Sequence, residues 1–233
     1  WGSGVDTSGS RVGYYAQDLT VTNGGEPIIA YTQHYDAGGT GESVGSRIVQ
    51  VKVNQGNPQE AWGRAFTGVQ DHETKVLALD IDDSGYLTAV GSHDIDFQFA
   101  GTSLRDPGSD GTGVESFALN FGPLSSGSRT ERWGKSFGSF DNINGAPHND
   151  GDNIPADVAV DPSNGDIAIV GNYDDKFYSL GGTAGSQATN DSIFIQTLDR
   201  NGLNPDSLTS GTGTGDDSET ATAADIESGE LFV

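Results

Sequence analysis

Apolar residues in this chain come in short bursts that alternate with polar ones or run unbroken, and nowhere do they recur at helical spacing. Residues 156–171 set the pattern. Val158, Ala159 and Val160 are followed by Asp161-Pro162-Ser163-Asn164-Gly165-Asp166, and then by Ile167-Ala168-Ile169-Val170. Apolar bursts bounded by Asp, Asn, Pro and Gly predict strand, tight turn, strand. The same hairpin recurs at 78–91, more loosely at 17–31, and cut short at 224–233.

A second landmark, Trp-Gly, stands at Trp1-Gly2, Trp62-Gly63 and Trp133-Gly134, with a degenerate copy at Leu208-Thr209-Ser210-Gly211. After each landmark come a polar loop, the hairpin, an aromatic with a Gly-Thr knot (Phe99-Ala100-Gly101-Thr102 is one), and a further strand. Those further strands are 47–53, 116–121 and 192–198. The order predicts four strands per repeat: the hairpin pair, the aromatic-rich third, and the Trp-Gly strand. Strands such as 167–170 and 193–198 are apolar on both faces, which places them between two other layers. Four-stranded antiparallel sheets covered on both sides by their neighbours are the blades of a β-propeller. The expected fold is therefore all-β, a single partial propeller over 1–233. Its repeats are 1–61, 62–132, 133–206 and a truncated 207–233, about three and a half blades. So few blades make too small a ring, so further blades are expected from a longer chain or a second copy.

Composition narrows the function. Eleven Lys and Arg against 34 Asp and Glu give a net charge of −23. Such a surface repels nucleic acid and anionic membrane, and favours cations, basic partners or solubility in salt. No apolar run is long enough to span a bilayer. Cysteine is absent, so redox compartment is not legible. The start at Trp1 reads as a processed chain or an excerpt.

Trp-Gly-x-x-Phe, then Ala-Val-Asp-x-x-Gly-x-Ile-x-Val-Gly, Phe-x-Gly-Thr and Asp-Ser-Ile-Phe-Ile-x-x-Leu-Asp-x-x-Gly together resemble the bacterial β-propeller repeat family of SBBP type. Residues 133–202 carry the resemblance best and 62–122 nearly as well. It implies an extracellular or cell-surface protein, with no shared catalytic residues to carry over.

Antiparallel order puts the strand two–three and four–one connections on one face of the array. Insertions confined to one face mark a binding face. Three ring–carboxylate sets follow the second strands: His34 with Asp36, His93 with Asp94, and Tyr173 with Asp174. Each could take a sugar, a cation or a basic side chain, or tie one blade to the next. The turn Asp80-Ile81-Asp82-Asp83-Ser84-Gly85 matches the first half of a calcium loop, with Asp80, Asp82 and Asp83 as ligands. The acid due at the twelfth position is Gly91, however, and Asp-x-Ser-Gly is also ordinary turn chemistry. Calcium is the one cofactor these residues suggest. No nucleophile elbow, phosphate loop or zinc motif is present. The expectation is a non-catalytic adhesion or scaffold module whose acidic loops bind a protein or surface glycan. The alternative is a carbohydrate-active hydrolase or lyase using two carboxylates on the long-loop face.

Overall fold

The computed structural model describes residues 11–36, 42–66, 72–104, 114–138, 152–173, 176–178, 184–187, 192–203, 205–209, 224–227 and 230–232. They form β-strands and turns, with no helix among them.

Three four-stranded antiparallel sheets follow one another along the chain. The first is β1 (Arg11–Val21), β2 (Pro27–Asp36), β3 (Glu42–Asn54) and β4 (Asn57–Phe66), paired in that order. The second sheet pairs β5 (Thr74–Ile81), β6 (Leu87–His93), β9 (Glu115–Phe121) and β10 (Glu131–Phe137). Between β6 and β9 a small ribbon is inserted, β7 (Phe97–Phe99) and β8 (Thr102–Leu104). The third sheet repeats that plan with β11 (Asn153–Val160), β12 (Ile167–Tyr173), β15 (Ser192–Leu198) and β16 (Asp206–Thr209). Its inserted ribbon is β13 (Lys176–Tyr178) and β14 (Ala184–Gln187). A last hairpin joins β17 (Asp225–Glu227) to β18 (Glu230–Phe232).

In each sheet neighbouring strands run antiparallel in chain order, and the turn between the first two strands is short. Asp82 and Asp161 close the second and third hairpins, accepting from the Tyr86 and Ser163 amides respectively. Gln55 and Gly56, both at positive φ, make the two-residue turn from β3 to β4. Each sheet takes its fourth strand from a Trp-Gly stretch or its degenerate copy: Trp62 lies in β4, Trp133 in β10 and Leu208 in β16.

The sheets stack. One apolar cluster lies between the first and second, holding Ile28, Ala30, Ile48, Leu87, Phe117, Leu119 and Phe121. Another lies between the second and third, holding Val90, Ala118, Val158, Ile167, Ile169 and Phe194. In a strand, successive side chains point to opposite faces. Thus Leu87, Ala89 and Phe117 point back to the first sheet, while Val90 and Ala118 point on to the third. We call these the rear and forward faces. The second sheet is sealed on both: every residue of β6 and of β9 is buried.

The stretch 32–45 is mostly strand, since β2 runs on to Asp36 and β3 starts at Glu42. The Phe-x-Gly-Thr knot is strand as well. In the second sheet it is the ribbon of β7 and β8, whose Phe99 and Leu104 are buried in the core cluster. Phe177 of β13 does the same one sheet later, stacked on Phe194 at 4.5 Å.

Candidate functional site

The first strands of the sheets lie next to one another, and three aspartates link them. β1, β5 and β11 each carry a bulge, at Gln17, Leu77 and Ala156. From there to the turn, alternate amides (Leu19; Leu79 and Ile81; Val158 and Val160) point away from the neighbouring strand. Such edge amides need partners when solvent is scarce. Aspartates supply them. Asp18 Oδ1 accepts from its own neighbour Leu19 at 2.7 Å, and Asp18 Oδ2 accepts from Leu79 of the next sheet at 2.6 Å. Asp80 accepts from Ile81 at 2.7 Å and from Val160 of the third sheet at 2.6 Å. Asp157 accepts from Val158 at 2.9 Å and from Ala224, just before β17, at 2.7 Å. One carboxylate per sheet thus clasps the next sheet by its backbone.

These bonds to an ionised acceptor are short and strong. The carboxylates also lie close enough to repel one another. Burial pushes Asp80 up to about 6, with the charges of Asp157 and Asp18 adding to the rise and the bonds from Val160 and Ile81 opposing it. Asp157 is raised too, first by burial and then by Asp18 and Asp225. The clasp is therefore a row of acids along the first strands of the sheets, in hydrogen-bond contact with backbone.

The sequence-predicted residues fall elsewhere. Asp80, Asp82 and Asp83 turn to different partners. Asp80 is in the clasp. Asp82 accepts from the Tyr86 amide and pairs with Arg200 Nη2 at 2.9 Å, fully buried. Asp83 accepts from Asn23 Nδ2 of the first sheet. Among the described residues no group of three or more His, Asp or Glu could hold a metal ion. The half calcium motif supplies a turn and three ties between sheets.

The ring–carboxylate sets separate as well. Counting from the residue opposite each bulge, the position of His93 and Tyr173 is held in the first sheet by Gln33, not His34. His93 is fully buried, its Nδ1 2.9 Å from the Ile95 carbonyl and its Nε2 3.1 Å from Ser136 Oγ. Tyr173 is buried beside Phe177. His34, half-buried, packs edge-on against Tyr15 at 4.9 Å. Asp94 Oδ1 accepts from the Glu73 amide and lies 3.6 Å from His72 Nδ1. Asp36 ends β2, paired with Arg11 and Glu42. Asp174 lies outside the described residues, as do Trp1 and His148. His93 and Tyr173 are therefore core residues rather than a binding rim.

The tryptophans serve packing. Trp62 meets Phe121 of the next sheet edge-on at 5.2 Å, under the guanidinium of Arg129. Trp133 donates its Nε1 hydrogen to the Arg200 carbonyl. Arg129 is itself buried, donating to Gln50 Oε1 and to the Gly85 and Gly122 carbonyls, and burial lowers it to about 10.

The open surface is the rear face of the first sheet. Tyr14, Ala16, Gln17, Asp18, Leu19, Ile29 and Tyr31 line a groove of about 800 Å³ there. Among the described residues that line it, Asp18 is the one acid. No protein-family model matches the chain, and no curated protein is similar to it. Among the described residues no helix is long and apolar enough to cross a membrane.

Proposed function

We propose that the chain is a non-catalytic β-propeller scaffold, displayed outside a bacterial cell, whose polar connections bind a protein or a surface glycan. The observation that carries this reading is the sealed second sheet. A four-stranded meander is covered on both faces by sheets of the same plan, and first strand lies by first strand. Radial packing of blades about an axis has that form. The resemblance to SBBP-type repeats points the same way, and supplies the extracellular setting.

The acidic connections support a binding rather than a catalytic role. Asp80 has a raised pKa, which a general acid needs. Both its oxygens nevertheless accept from backbone amides and so tie it to the structure. Two connections, 105–113 and 139–151, are rich in Gly, Asp and Asn.

The test is a screen of the whole chain against a glycan array and extracellular-matrix proteins, followed by variants with 105–113 or 139–151 replaced by a short Gly-Ser linker. Binding should fall at least about tenfold in one variant, with the melting midpoint unchanged. Turnover of aryl glycosides or acidic polysaccharides by the intact chain, lost in Asp80→Asn, would favour the hydrolase or lyase instead.

A further inference from the structure

The clasp has two loose ends, and they match. Asp18 and Asp157 occupy the same register place, opposite Ala30 and Val170. Asp80 sits two residues further on, opposite Thr88. The places alternate from sheet to sheet. Ala224-Asp225-Ile226 repeats Leu79-Asp80-Ile81, and the Ala224 amide is held by Asp157 as the Leu79 amide is held by Asp18. Asp225 therefore stands in Asp80's place, and Asp80 reaches forward to the amide of Val160. In the first sheet the residue in Val160's place is Val21. Among the described residues no side chain accepts from the Val21 amide, and none donates to the exposed Asp225 carboxylate. Among the described residues, then, one end of the stack offers an acceptor and the other a donor.

The two ends are not joined within one chain, because Leu19 and Val21 are 57% and 51% exposed. We propose that two copies of this chain join head to tail, each seating its β17–β18 hairpin on the rear face of the other's first sheet, with Asp225 accepting from Val21. This rests on the radial reading of the stack. Three further observations favour a second copy. The interface continues one the chain already makes twice, sheet on sheet with an aspartate clasp. The open face presents Tyr14, Leu19, Tyr31 and Arg47, and aromatic residues and arginine are what association surfaces concentrate. The first sheet is also where the acidic C-terminal hairpin meets the least repulsion. Residues 11–66 hold four basic and five acidic residues, a net of −1, whereas 201–233 hold seven acidic and no basic ones, a net of −7. Two such head-to-tail contacts related by a twofold axis close on themselves.

Sedimentation equilibrium of the 233-residue chain from about 1 to 200 μM in about 0.5 M NaCl, where the net repulsion is screened, tests this. Twice the chain mass of 24.2 kDa is expected. Leu19→Glu, at an exposed position, should weaken association at least about 30-fold, as should Asp225→Ala. Leu203→Glu, equally exposed on the third sheet, should leave it unchanged. A monomer throughout, a dimer indifferent to Leu19→Glu and Asp225→Ala, or open polymers that lengthen with concentration would each overturn the proposal. Hydrogen exchange separates this failure from failure of the radial reading. Slow Leu79 and Val160 amides that speed up in Asp18→Ala and Asp80→Ala keep the stack even if the chain is monomeric; fast amides in the parent chain remove the stack itself.

Discussion

The first and second sheets share one strand plan and one clasp, yet their rear faces are built from different residues. In the second, Gly91 pairs across the ladder with Phe117; in the third, Gly171 pairs with Phe194. A Cβ on either glycine would run into the ring of its partner and a carbonyl of the first strand, so only glycine lets the ring lie flat there. In the first sheet the same ladder position pairs Tyr31 with Arg47, and Arg47 donates to Glu60 at 2.6 and 2.8 Å. Where a neighbouring sheet lies against the face, the sequence places a ring over a bare backbone. Where none does, it places a phenol and an ion pair. The repeat thus specifies strands everywhere, while this one pair distinguishes a sealed face from an open one.

The largest expected effect removes the sealed pair. Phe117 is fully buried between two sheets, so Phe117→Ala should destabilise by about 3–5 kcal/mol, through lost transfer energy and the cavity left behind. Tyr31→Ala, at the matching place on the open face, should cost under about 1 kcal/mol. Urea unfolding of both variants at sub-micromolar chain concentration, below the range in which two copies associate, measures the difference. Equal costs would mean that the first sheet is also covered, and the comparison would fail.

The next effect concerns the clasp, and its sign is opposite to that of an ordinary ion-paired acid. Asp80's folded-state pKa of about 6 lies above the usual 3.8. Between about pH 4 and 6 the folded protein keeps a proton that the unfolded chain has released. This group's stabilisation is therefore full below that window and lost as pH rises through it, by up to ~3 kcal/mol. Asp80→Asn keeps one acceptor and removes the charge. The variant should exceed the parent by about 1–2 kcal/mol at pH 7 and lose that advantage by pH 4. Chemical denaturation of both chains across that range decides it. A variant less stable at pH 7 than at pH 4, relative to the parent, would show that the ionised clasp stabilises more than its burial costs.

The strands were legible because burial on two faces leaves a run such as Ile167-Ala168-Ile169-Val170, which no helix period fits. The clasp was not. Asp18, Asp80 and Asp157 sit next to hairpin turns, where aspartate already has a local explanation, and Asp80 also completes half a calcium motif. Nothing in composition marks an acid whose partner is a backbone amide some 61 to 80 residues away. The ring–carboxylate sets failed for a different reason. A one-residue error in alignment moves a side chain to the opposite face of a sheet, and His34 is offset by one from His93. The bulges at Gln17, Leu77 and Ala156 fix the register, and a bulge leaves little trace in hydropathy.

The smallest effect is the most discriminating test of the open face. Arg47 and Glu60 have side chains 36% and 43% exposed, and water screens such a pair. A double-mutant cycle over Arg47→Ala and Glu60→Ala, at sub-micromolar chain concentration, should give a coupling below about 1 kcal/mol. It should shrink further in 1 M salt, where the screening length falls to about 3 Å. Breaking a pair by removing one partner costs several times more when the pair is desolvated. A coupling above about 2 kcal/mol that survives salt would therefore place another surface over Arg47 even in the dilute chain. The Tyr31–Arg47 pair would then be a second way of sealing a sheet, and not the mark of an open one.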